Sequence, residues 1–159
     1  MTRSRRVRRA ALVACTVSIL TVGSVATAPA ASGVSHEARL LRIINRVRAA
    51  HHLWTLRLNA GLSDDAERHT RRMVQVNRIY DPPDLVRLLR PYDWRRVAGS
   101  VAGCDGTLNG LVRAWMAHAE HREILLLPGL RYAGIGVVVA EGQSACGRDS
   151  YWATGILYG

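Results

Sequence analysis

His118 and His121 stand three residues apart near the end of an amphipathic run that begins at Thr107. On a helix this spacing puts both imidazoles on one face, where they could share a metal ion. The same spacing suits two solvent-facing histidines, which the helix dipole favours near a C terminus. The other histidines offer less chemistry. His51-His52 follows the first predicted helix as a solvated cap, and His69 lies inside the second as a packed or hydrogen-bonded side chain. Beyond residue 30 the serines are Ser32, Ser35, Ser63, Ser100, Ser144 and Ser150, and none has the context of a nucleophile. The chain has no G-x-S-x-G elbow, P-loop, H-E-x-x-H pair or Gly-rich dinucleotide loop.

Two cysteines, Cys104 and Cys146, form an even pair in what reads as an exported chain, and a structural disulfide is the expectation. Two cysteines without a second pair nearby make a poor zinc site. The third, Cys15, lies in an apolar run that follows Arg3, Arg5, Arg6, Arg8 and Arg9 and ends in Ala26-Thr27-Ala28-Pro29-Ala30-Ala31. A basic start, a short apolar segment and an Ala-x-Ala end predict a secretory signal peptide over residues 1–30, with a short linker over 31–37. Thr16, Ser18, Thr21, Gly23 and Ser24 interrupt the apolar run, so no permanent membrane span is expected after cleavage.

All 22 cations are arginine, against 12 acids, for a formal net charge of +10. Removing residues 1–30 takes away five arginines and no acid, which leaves 17 against 12, or +5. That mild excess, with no basic stripe interleaved with aromatics, excludes the composition of a nucleic-acid binder.

Helices must position these residues. Ser35 caps a predicted helix carrying Leu40, Leu41, Ile44 and Val47, running to about His51. Leu53 to Leu58 reads as an extended connection and Asn59 as the start of a turn. Leu62 to Val76 reads as a second helix, and Asp84 caps a short one over Leu85 to Leu89. Residues 91–106, with three glycines, have a loop composition. A third long helix spans Thr107 to about His121. Tyr132–Ala140 and Tyr151–Tyr158 read as strands joined through Glu141–Arg148. Helices first and strands last predict an α+β fold with an antiparallel sheet.

Several of these segments resemble one family. Ile44-Asn45-Arg46-Val47-Arg48 matches its first-helix motif, and Ala66, His69 and Met73 match its A-x-x-H-x-x-x-M second helix. Ala114 through Leu125 is similar to its W-M-x-S-P-x-H-R-x-x-I-L segment, with His118-Ala119 in place of Ser-Pro. Tyr132–Val137 resembles its G-V-G-V strand and Tyr151-Trp152 its closing aromatic strand. In this order the residues resemble a bacterial secreted domain of the CAP superfamily, that of cysteine-rich secretory proteins, antigen 5 and plant pathogenesis-related proteins.

The resemblance implies a CAP-like domain over residues 38–159, built as a three-layer α-β-α sandwich with a shallow cleft. It also implies two histidines and one or two glutamates in that cleft, able to hold a divalent metal. Transferred residue by residue, one cleft histidine falls at Asp81, the other is kept as His121, and the glutamate falls at Gly99. The metal ligands left for zinc are then His121 and Asp81, with His118 as a third if it turns inward; zinc sites of the catalytic kind use three. Asp81 and protonated His121 could instead form an ion pair. The expected function is a secreted or cell-wall-associated binding module with no assigned catalytic residue. Its groove lies near Asp81, Ser100, His118 and His121, is stapled by Cys104–Cys146, and takes a small lipid or sterol-like ligand or an envelope component. The absence of a glutamate at Gly99 is expected to open that groove. The alternatives are a metal-assisted hydrolase using His118, His121 and Asp81, and a cationic protein bound to anionic envelope polymers.

Overall fold

The protein is described by a computed structural model covering residues 34–159 apart from Arg96. The predicted signal peptide, Cys15 and residues 31–33 of the predicted linker lie outside the described residues.

The first helix, α1 (His36–Ala50), starts where Ser35 Oγ accepts from the Ala38 amide at 3.2 Å, with Glu37 at its positive end. It buries Leu40, Leu41, Ile44 and Arg48. Within the family-like motif, Asn45 has a definite task. Its side chain donates to Leu56 O at 3.0 Å and accepts from Leu56 N at 2.8 Å, which pins the following segment against α1. Only the end of the expected extended connection is a strand, β1 (Arg57–Leu58).

Helix α2 (Ala60–Gln75) begins two residues before the apolar period does, because Asn59 Oδ1 caps it by accepting from Leu62 N at 3.0 Å. Asp84 caps α3 (Leu85–Leu89) in the same way. The expected loop over 91–106 is corrected from Ala98 onward: Ala98–Asp105 is a strand, β2. The expected single helix from Thr107 to His121 is also corrected. It is two helices, α4 (Leu108–Ala117) and α5 (Ala119–Leu125), with His118 extended between them at φ −85° and ψ 123°. The two C-terminal strands run further than expected, as β3 (Tyr132–Ser144) and β4 (Gly147–Tyr158) joined by Ala145-Cys146.

The sheet order is β1-β3-β4-β2. β3–β4 and β4–β2 are antiparallel, but β1 joins β3 in parallel, with Arg57 opposite Tyr132 and Leu58 opposite Ala133. The sheet is therefore mixed, a correction to the antiparallel expectation. Its parallel pair arises because β1 and β3 are linked by helices and not by a hairpin.

Alternation along the strands assigns the two helical layers. Val101, Ala133, Ile135, Val137, Ala153 and Leu157 share a core with α1 and α4. Gly134 and Gly136 face α2 instead. A Cβ at Gly136 would lie 2.2 Å from Glu67 N, so only glycine lets α2 pack this closely. Beneath α2 the buried Thr70 hydroxyl lies 2.9 Å from Ala66 O and 2.9 Å from the Thr154 hydroxyl, which satisfies both groups. The result is helix, sheet and helix in three layers. No helix among the described residues is long and apolar enough to cross a membrane.

Candidate functional site

The break between α4 and α5 builds the site. Trp115, near the end of α4, is buried, and its indole N–H donates to Ala102 O on β2 at 3.1 Å. Gly103 permits this approach, since a Cβ there would meet Trp115 Nε1 at 2.7 Å. One helix cannot hold this contact and also lay α5 on β2, so the chain turns at His118. The helical bonds close at His118 N to Ala114 O (3.1 Å) and reopen at Arg122 N to His118 O (2.9 Å). Arg122 Nη1 donates to Met116 O at 3.1 Å, one of the carbonyls freed at the break.

The turn stacks the two imidazoles side by side, with ring centroids 5.2 Å apart and planes tilted by 37°. His118 is exposed, and His121 is half-buried in the first turn of α5. Burial lowers the pKa of His121 from its ordinary 6.5; the charge of Asp81 opposes this, the His118 ring adds to it, and Glu120 opposes it weakly. Asp81 is held nearby through its neighbour. His69 Nε2 lies 2.8 Å from Tyr80 O, and the two rings meet edge to face at 4.8 Å. Among the described residues no ion pair within 4 Å joins Asp81 to His121.

Beside these rings is a hollow of about 210 Å³, lined by Ile79, Ala102, Gly103, Cys104, Leu111, Ala114, Trp115, His118 and His121. The Cys104–Cys146 disulfide, with its Cα atoms 6.0 Å apart, closes one lip and ties β2 to the β3–β4 turn. Of the expected site residues, the structure brings His118 and His121 to the hollow and Asp81 within electrostatic reach. Ser100 pairs with Ile156 inside the sheet and does not line it. Of the apolar lining, Leu111 and Trp115 read only as the apolar face of the third long helix, Ala114 only as the start of the family-like segment, and Gly103 only as loop composition.

The opening expected at Gly99 is filled. A Cβ at that position would lie 2.7 Å from Ile124 Cγ2, so Ile124 takes the volume that a side chain on residue 99 would need. No three His, Cys, Asp or Glu side chains among the described residues come together to hold a metal ion. The donor set does not fit a zinc centre of the three-ligand kind.

The fold is that of a three-layer α-β-α domain with a mixed four-stranded sheet. Residues 41–156 match the CAP family, the cysteine-rich secretory protein family, and the chain belongs to it. Three similar solved structures are an extracellular protein containing an SCP domain from Bacillus anthracis (20% identity, TM-score 0.56), an outer surface protein from Borrelia burgdorferi (16%, 0.57), and a cysteine-rich secretory protein from Staphylococcus aureus (19%, 0.58). They cover 76%, 76% and 77% of this chain. The chain spans 39%, 91% and 38% of theirs, so two of the three are far longer proteins. At these identities the likeness is one of fold. No curated protein matches the sequence.

Proposed function

We propose that this chain is an exported, non-catalytic binding module whose hollow beside His118 and His121 takes the apolar end of a small ligand. The observation that carries the reading is the lining itself. Ile79, Ala102, Leu111, Ala114 and Trp115 present apolar surface, while two imidazoles and the nearby Asp81 supply polarity at one side. Ligand sites combine these features, a mostly apolar wall with few polar groups that fix orientation. The volume of about 210 Å³ is below the usual range of roughly 300–1,000 Å³ for small-molecule pockets. It suits one ring or the end of an acyl chain, with the remainder of a lipid-like ligand outside. Export is supported by the basic-apolar-small pattern of residues 1–30, and by neighbours described as extracellular or outer surface proteins.

The test is equilibrium binding of a fluorescent short-chain fatty acid and a fluorescent sterol to the oxidised protein. The comparison is with Ala114→Phe, which fills the hollow from an exposed position on α4. Saturable binding that weakens at least tenfold in the variant is expected for one of the probes. No saturable signal for either, or binding indifferent to Ala114→Phe, would overturn the reading.

A further inference from the structure

The same protein treats its helical arginines in two ways. On α2, two of the three arginines are paired, Arg68 with Asp65 and Arg71 with Glu67, at spacings of three and four residues, and Arg72 is not. On α1, Arg39, Arg42 and Arg46 repeat at three and four residues on one exposed face, and no carboxylate among the described residues lies within 4 Å of any of them. Residues 1–33 and Arg96 contain no acid that could reach them. Glu37 is two, five and nine residues away, out of register with the row. Like charges at these spacings destabilise a helix. Among the described residues no ion pair offsets them.

The three exposed arginines share one surface. With Ile43 and Asn109 of α4 they line one groove of about 270 Å³. One turn further along α4, Arg113 stands beside the same helix pair. From Arg39 to Arg46 the row extends about 10 Å along the helix axis, longer than a single anion. Guanidinium forks match phosphate oxygens two at a time, and the Asn109 amide adds a donor. The lining contains no aromatic side chain on which a base could stack. Apart from Ile43 it offers no apolar surface.

We propose that the Arg39–Arg42–Arg46 groove binds a linear phosphodiester polymer without bases, of the polyol-phosphate kind. This surface lies on α1 and α4, shares no lining residue with the hollow beside His121, and does not depend on the reading of that hollow.

The experiment is a titration of the oxidised protein with synthetic poly(glycerol phosphate) over a range of salt. Binding is saturable and falls at least tenfold in Arg39→Gln/Arg42→Gln/Arg46→Gln. In Arg68→Gln/Arg71→Gln/Arg72→Gln, which removes the same charge from α2, it falls less than twofold. The slope of log K against log salt becomes shallower by about 2 in the α1 variant, at roughly 0.7 per phosphate contact for flexible polyanions. The single variant Arg42→Gln, with about a threefold loss, carries the test if the triple variant does not fold. Two further arms use oligothymidylate with the same number of phosphates, and phosphatidylglycerol vesicles. The vesicles probe an acyl chain in the adjoining apolar groove along Val47, Val112 and Met116. No binding, equal loss in both triple variants, or tighter binding of oligothymidylate or vesicles than of poly(glycerol phosphate) would overturn the proposal.

Discussion

Arg48 Nη1 donates to the carbonyl oxygen of Leu125 at 2.6 Å across 77 residues of sequence, with both residues buried. Its Nε donates to Trp54 O at 2.9 Å and Nη1 also reaches Leu127 O at 3.3 Å. One side chain thus closes the end of α5 and the segment after α1. Among the described residues Nη2 has no hydrogen-bond partner, and burial, with Arg131 adding to it, lowers the pKa of the guanidinium from its ordinary value.

Arg48→Met keeps most of the volume but leaves the buried carbonyl of Leu125, and the partly buried one of Trp54, without this donor. The expected loss is about 2–4 kcal/mol. Urea denaturation at neutral pH checks it, and a loss under about 1 kcal/mol would mean that water takes over the guanidinium's bonds.

Gly99 and Ile124 compete for one volume. Gly99→Glu alone should destabilise by about 1–3 kcal/mol through overpacking. The double change Gly99→Glu/Ile124→Ala should cost less than the sum of the two single changes. Additive costs in a double-mutant cycle would show that the two residues do not share space.

His118 already has the extended backbone that a following proline requires, and Ala119 is the first residue of α5, where proline is tolerated. Ala119→Pro should therefore stabilise the fold by about 0.4–1 kcal/mol, by restricting the unfolded chain. A lowered thermal midpoint would mean that the break is not rigid in solution.

For His121, burial holds the folded pKa below the unfolded value of 6.5, so the unfolded chain takes up the proton first. Its contribution is full above pH 6.5 and is lost as pH falls below that value. The thermal midpoint should drop between about pH 7.5 and about pH 5, and His121→Gln should narrow that drop. Asp81→Asn should widen it, since the carboxylate favours the charged ring. An unchanged pH profile in His121→Gln would assign the effect to other groups.

The caps Ser35 and Asp84 made the starts of α1 and α3 legible, because they act within three residues of themselves, whereas Asn59 read only as a turn and its capping of α2 was missed. β2 was hidden by its glycines. Gly99 and Gly103 are there for Ile124 and Trp115 to press against the strand, a tertiary reason that composition reports as loop. The break at His118 was hidden too. Without a proline, nothing in the sequence from Thr107 to about His121 marks an interruption, and it reads as one helix. What stops it is the anchoring of α4 and α5 at separate points on β2. The pair His118–His121 was visible, but its apolar neighbours read only as core.

The pairing of β1 with β3 and of β2 with β4 has a consequence for the order of events in folding. Among the described residues, 57–58 and 98–105 have no strand partner before Tyr132. A nascent chain stopped at Arg131 carries α1, α2 and α4 with no sheet to pack on, and the central hairpin that joins both edges is made last. Assembly therefore waits on long-range closure, a topology that slows folding. A ribosome-bound fragment lacking Tyr132–Tyr158 would remain open to proteases until those residues arrive.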